Sequence, residues 1–324
     1  MKLSFLFFGN KPDEKWQLAR QMGMKYAIAK LAPELTGDLP PWDFESLKRS
    51  KNIYEKEGFE LIGFEGDQFE MNRIKLGVEG RDEDILKYIR MLENMGKLGI
   101  KLLCYNFMAT GWFRTAKNIK ERAGALVSGF NMQDAEKLPL TIYGEVSAEK
   151  VWENYAYFLS QVLPAAEKAG VKLAMHPDDP PVPVLQGIGR IFISAEATRK
   201  ALSLSDSPSH GLTFCQGTYT TMGEDVKNLI HEFGNKGKIF FVHIRDVTGT
   251  ADNFRETFHD NGPTDMVDLY RSYRDAGFDG PIRSDHVPSM AGESNNQHGY
   301  EMKGNLFGIG YMKGIMDALN IPSI

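Results

Sequence analysis

The sequence predicts a single-domain α/β protein over residues 1–324, an eight-stranded parallel barrel of (β/α)₈ type, and three observations carry that expectation. Short β-prone apolar runs alternate with helical patterns from one end of the chain to the other. Several helices stop at a glycine placed just before the next run, as in Glu57-Gly58-Phe59, Leu98-Gly99-Ile100, Ala169-Gly170-Val171 and Ala276-Gly277-Phe278. Four runs in the second half each end in a residue able to bind a metal ion, which is what strands converging on one barrel rim would supply.

In chain order the strands are expected at residues 3–8, 26–30, 60–65, 101–107, 171–176, 212–215, 239–245 and 282–285. The helices that follow are expected at 14–22, 44–57, 83–98, 148–169, 195–202, 224–233, 264–276 and 306–319. Such alternation argues for a parallel sheet with crossover helices, and eight units favour closure. An open doubly wound sheet would need a phosphate-binding turn, yet no G-x-G-x-x-G follows the first strand. Long loops after strands four, five, seven and eight lie on the rim expected to hold a site.

Composition narrows the function. The chain is 42% hydrophobic and 25% charged with a formal charge of −5, and its basic residues are scattered, so a polyphosphate partner is disfavoured and a small substrate favoured. The apolar opening stops at Gly9-Asn10 with no small-residue cleavage site, and reads as a first strand of a cytoplasmic protein with no membrane partner. With only Cys104 and Cys215, no disulfide framework or CxxC cluster is expected, and a reducing compartment keeps Cys215 available as a ligand.

The candidate ligands are His176, Cys215, His243 and Asp285, spaced by 39, 28 and 42 residues. A cysteine or histidine alone is more often a satisfied core residue; the strand-end position distinguishes these four. His243 alternates with Val242 and Ile244, so period two turns it to the opposite side, toward the barrel interior. Asp285 is followed by His286, so the two side chains are expected to diverge, one toward the metal and one toward a substrate. A soft thiolate beside nitrogen and oxygen donors fits manganese, iron, cobalt or zinc, and four ligands from four strands suggest an open catalytic site.

Beyond these residues, Cys104-Tyr105-Asn106-Phe107-Met108, Trp112-Phe113-Arg114-Thr115, His176-Pro177-Asp178-Asp179-Pro180-Pro181, Gly211-Leu212-Thr213-Phe214-Cys215, Phe241-Val242-His243-Ile244-Arg245, Asp265-Met266, Asp285-His286 and Gly299-Tyr300 stand in one order across most of the chain. In these stretches the sequence resembles the mannonate dehydratases. The resemblance implies a TIM barrel that binds manganese or iron and converts D-mannonate to 2-keto-3-deoxy-D-gluconate plus water, in hexuronate breakdown. It implies His176, Cys215, His243 and Asp285 as metal ligands and His286 and Tyr300 as acid and base. Arg114, Asp178, Asp179 and Asn106 are the substrate-binding candidates, with Glu256 and His259 in supporting roles. A homo-oligomer is expected.

Two departures from the family pattern stand out. Val287-Pro288 follows the Asp285-His286 pair where the family usually has Gly-Arg, so one cation able to grip a sugar-acid carboxylate is missing. Met108-Ala109-Thr110-Gly111 precedes Trp112 where a proline and an aspartate are usual. Two other readings compete: a sugar isomerase or epimerase of the xylose-isomerase type, which the Cys215 thiolate disfavours, and a non-catalytic metal protein that binds a sugar acid, which His286 and Tyr300 disfavour.

Overall fold

Eight parallel strands close into a barrel in a computed structural model that describes residues 1–322. They are β1 (Lys2–Phe8), β2 (Tyr26–Lys30), β3 (Glu60–Glu65), β4 (Leu102–Tyr105), β5 (Lys172–Met175), β6 (His210–Cys215), β7 (Ile239–Ile244) and β8 (Pro281–Ser284). Each strand pairs in parallel with its successor, and β8 returns to β1 through the register Lys2↔Pro281 and Leu3↔Ile282. The crossover helices are α1 (Glu14–Gln21), α2 (Phe44–Lys56), α3 (Arg81–Lys97), α4 (Ala148–Ala169), α5 (Ala195–Ser203), α6 (Val226–Gly234), α7 (Met266–Asp275) and α8 (Met302–Ala318). Side-chain caps start six of them: Asp13, Asp43, Ser147, Ser194, Asp225 and Asp265 each accept a backbone N–H of the first turn. The glycines that close α2, α3, α4 and α7 have φ of +85°, +75°, +64° and +72°, the left-handed turn expected of them.

Alternation along the strands divides the core. Leu103 and Tyr105, Leu173 and Met175, Leu212 and Phe214, and Val242 and Ile244 face outward into the large cluster shared with the helices. Ile28, Leu102, Cys104, Ala174 and Phe241 fill the barrel instead. Inward positions recur every second residue, so one step beyond that filling layer come Lys30, Asn106, His176 and His243. The apolar layer is thus a floor for the polar rim above it.

The loops after β4 and β7 are not irregular, as the sequence suggested. Ala116–Lys120, Leu126–Asn131, Val247–Thr250 and Asn253–Glu256 form a four-stranded antiparallel sheet on the rim, packed through Phe130, Val182, Leu185, Val247 and Phe254. It brings the chain near Arg114 and the chain near Glu256 to one place. Among the described residues, no helix is long and apolar enough to cross a membrane.

Candidate metal centre and active site

His176, Cys215 and His243, from three neighbouring strand ends, present donor atoms that all lie within 4.8 Å of one another. Register explains part of this: Cys215 pairs with His243 across β6 and β7, and His243 pairs with Arg283 across β7 and β8. Asp285 adjoins the trio, its Oδ2 3.6 Å from the Cys215 sulfur and its Oδ1 3.9 Å from His243 Nδ1.

The tautomer of His176 follows from its neighbour. Its Nδ1 is 2.6 Å from the Pro177 carbonyl oxygen and must donate to it, which leaves the Nε2 lone pair free for a metal. His243 is arranged the other way round. Its Nε2 lies 3.3 Å from Glu65 Oε2 but makes no well-formed hydrogen bond, and it is a buried, unsatisfied atom. Arg283 ties this region together, reaching Glu65 at 2.5 and 2.8 Å and Asp285 Oδ1 at 2.9 Å.

The electrostatics suit a cation. Burial raises the Cys215 thiol, but the Arg245 guanidinium and His176 outweigh it and bring the thiol down to about 5. Burial works against protonating His176, yet the Cys215 thiolate and Asp285 raise it to about 9. Asp285 is likewise disfavoured as a charge by burial, while His286, Arg283, His243 and Arg245 hold it well below the usual carboxylate range. The unligated trio is therefore a thiolate beside an imidazolium, with a proton that a divalent ion would displace. A soft sulfur, two imidazoles and an adjoining carboxylate fit a transition metal, with His243 Nδ1 on the Asp285 side of the ring and Nε2 on the Glu65 side.

A second cluster stands beside the first. Arg114 holds Asp179 through two bonds of 2.7 and 2.8 Å and reaches Glu256 Oε1 at 2.6 Å. Arg245 reaches Glu256 at 2.5 Å, Asp179 at 3.0 Å, Asp285 Oδ2 at 3.2 Å and the Thr218 hydroxyl at 2.9 Å. Gly217 permits this approach, because a Cβ there would fall 2.5 Å from Arg245 Cγ. Glu256, depressed to about 2 by these cations against the opposing effect of burial, accepts from His286 Nδ1 at 3.1 Å. His286 Nε2 is in turn 3.0 Å from the Tyr300 hydroxyl.

These groups open on one cavity of about 250 Å³, walled by Glu65, Asn106, Trp112, His176, Asp179, Arg283, Asp285, His286 and Tyr300 among others. Of the substrate-binding candidates, Asn106 and Asp179 reach the wall. Asn106 Oδ1 accepts from the Lys75 ammonium at 2.9 Å and from the Met108 N–H at 3.0 Å. Arg114 and Asp178 stand behind the wall. Arg114 is neither a solvated surface arginine nor an open carboxylate clamp, since its side chain is fully buried and both terminal nitrogens already bind protein carboxylates. Asp178 clips the following loop, its Oδ2 accepting from the N–H groups of Ile191 and Phe192.

Asp285 and His286 do not diverge as strand alternation suggested. Strand β8 ends at Ser284, and the bridge between Val287 and Gly299 turns His286 back so that both residues line the cavity. Glu65, Arg245 and Arg283 escaped the sequence reading. Period two could have found all three: Glu65 ends β3, while Arg245 and Arg283 stand two residues from His243 and Asp285 on the same inward side. His259 packs under the site, with Nε2 3.1 Å from Ser284 Oγ.

Comparison with known proteins gives the family. The model of the D-mannonate dehydratase family (UxuA) matches residues 1–141 and 132–322. A mannonate dehydratase of Thermotoga maritima is 32% identical, with 99% of this chain and 98% of that one covered. Mannonate dehydratase 2 of Halalkalibacterium halodurans is 31% identical over 99% of this chain and all of its own. The crystal structure of mannonate dehydratase from Streptococcus suis serotype 2 superposes with a TM-score of 0.89 at 30% identity, covering 98% and 96% of the two chains. A D-tagatose 3-epimerase-like protein (TM-score 0.63, 13% identity) and a zinc-bound IOLI protein (0.61, 13%) share the fold alone. The chain belongs to the D-mannonate dehydratase family.

Proposed function

We propose that this protein is a metal-dependent lyase that converts D-mannonate to 2-keto-3-deoxy-D-gluconate and water. One observation carries the reading: His176 and Asp285 face the same cavity as the hydrogen-bonded pair His286–Tyr300, with Cys215 and His243 clustered directly behind them. His176, Cys215, His243 and Asp285 would hold the ion, manganese or iron in the family's manner. When bound, a divalent cation stabilises the negative charge that develops on the substrate as the proton next to the carboxylate leaves.

The chain's own residues do the proton work. Glu256 fixes His286 by accepting from Nδ1, which leaves Nε2 as the basic nitrogen. Burial, reinforced by the charges of Asp285 and Glu65, pushes the Tyr300 phenol well above its usual range, so Tyr300 stays protonated and donates. His286 removes the C2 proton, and Tyr300 protonates the hydroxide leaving C3, which departs as water. The resulting C2 enol takes up a proton from water at C3 and releases its hydroxyl proton to water, becoming the 2-keto acid, while the Tyr300–His286 hydrogen bond returns the abstracted proton to the phenol. Each proton transfer contributes about 10² to 10⁴ in rate. Glu65, 3.3 Å from His243 Nε2, would hold the ring electrostatically and leave Nδ1, on the Asp285 side, available to the ion.

Asp179, held by Arg114 and Arg245 at the cavity wall, and Asn106 present polar groups to the substrate hydroxyls. The test is a screen of manganese-loaded protein against aldonic and uronic acids, with 2-keto-3-deoxygluconate measured directly. D-mannonate is expected to be dehydrated and the chelated protein to be inactive; epimerisation without loss of water, or full activity after chelation, contradicts the reading.

A further inference from the structure

Two fixed cations line the cavity, and they differ in what they face. Arg283 is neutralised by Glu65 at 2.5 Å and Asp285 at 2.9 Å. The cations behind the wall are engaged as well: Arg114 and Arg245 by Asp179 and Glu256, and Lys75, with a fully buried side chain, by Asp67 at 2.6 Å. Each acid on the wall therefore has a partner within 3 Å.

Lys30 has none at that range. It ends β2 two residues beyond the barrel-filling Ile28, and its side chain keeps 31% of its exposure. Its carboxylate neighbour is Glu34 at 3.9 Å, itself 66% exposed, a pairing that water screens almost completely. A desolvated ligand carboxylate would outcompete it, because charge-assisted hydrogen bonds strengthen once water is excluded.

The sequence points the same way. Val287, buried and bridged to Gly299, and Pro288 put no cation after His286. We propose that Lys30 is a substrate-binding residue whose ammonium grips the carboxylate of the sugar acid. The inference rests on the dehydratase reading above and names the group that recognises its substrate. A lysine meets one carboxylate oxygen as a point charge, where an arginine would fix the whole plane, so Lys30 confers affinity for the acid more than orientation.

The experiment compares wild type, Lys30→Met and Lys30→Arg, each manganese-loaded, in D-mannonate turnover and in calorimetric D-mannonate binding. A half-exposed lysine at a strand end is replaceable without loss of fold, which melting temperature verifies. Lys30→Met is expected to raise KM and the dissociation constant by about 10- to 100-fold with kcat little changed, since a contact made equally in ground and transition states affects binding only. Lys30→Arg should recover most of the loss. Turnover by wild type with KM within about twofold in Lys30→Met overturns the Lys30 assignment and leaves the dehydratase reading intact. Wild type that binds D-mannonate without dehydrating it overturns the dehydratase reading, and the calorimetric loss in Lys30→Met then decides Lys30 separately. Wild type that binds no D-mannonate counts against both.

Discussion

Two clusters at the same mouth of the barrel have similar donors and opposite electrostatics. His176, Cys215 and His243 form one; Asp179, Glu256 and His286 form the other, and in each the donor atoms lie within 4.8 Å. The second contains its own cations, Arg114 and Arg245, and every negative charge in it is matched by a guanidinium. The first has no guanidinium salt-bridged to its own donors: without an ion its positive charge is the His176 imidazolium, while Arg283 comes no nearer than 3.5 Å to His243 Nδ1 and otherwise engages Asp285 and Glu65. Donor count alone thus does not identify a metal site. What distinguishes it is whether fixed guanidinium groups already match the negative charge: one cluster is a scaffold, and the other is the one proposed to hold an ion.

Removing a scaffold cation should have the largest effect. Arg245→Met leaves Glu256 and Asp179 buried with one guanidinium between them, and the expected loss is about 3–5 kcal/mol in urea unfolding. A loss below about 1 kcal/mol would show that the two clusters do not differ as described. On the other side of the comparison, Glu65→Gln should leave stability less affected but weaken manganese binding by about 10- to 100-fold, read from free manganese by electron paramagnetic resonance. Unchanged affinity would remove Glu65 from any role in orienting His243.

A third test contrasts the mouth with the floor. His210, at the start of β6, is lowered to about 4 by burial, against a weaker opposing contact from the Ser205 carbonyl, and its Nε2 sits 3.2 Å from Tyr155 Oη. His176, at the mouth, shifts the other way. Because the folded pKa of His210 lies below the unfolded 6.5, the unfolded chain binds the extra proton between those values. Stability is therefore fully present above about pH 6.5 and declines as pH falls toward 4, by about 3 kcal/mol. In His210→Gln that part of the metal-free protein's pH dependence should disappear.

Strand ends were the legible part of this molecule. Two of the eight strands, Tyr26–Lys30 and Glu60–Glu65, and the helix Ala148–Ala169 have the bounds read from the sequence, because apolar runs meet clear glycine and polar stops there. His176, Cys215, His243 and Asp285 were visible since each ends such a run. The rim sheet was not: AKNIK, VTGT and NFRE are short and largely polar, and the two local hairpins they belong to become one sheet only where NFRE pairs with LVSGFN, over 100 residues away. Arg114 was misjudged for the same reason, its partners Asp179 and Glu256 being 65 and 142 residues distant. Lys30 and Arg283, by contrast, were within reach of the period-two rule that turned His243 inward.

The most direct test of the central claim replaces the native ion with cobalt(II) and records the sulfur-to-cobalt charge-transfer absorption. The account predicts one cobalt per chain and a thiolate band that persists in Cys104→Ser and vanishes in Cys215→Ser. A band retained in Cys215→Ser, or no thiolate band in the loaded wild type, would contradict a metal centre built on His176, Cys215, His243 and Asp285.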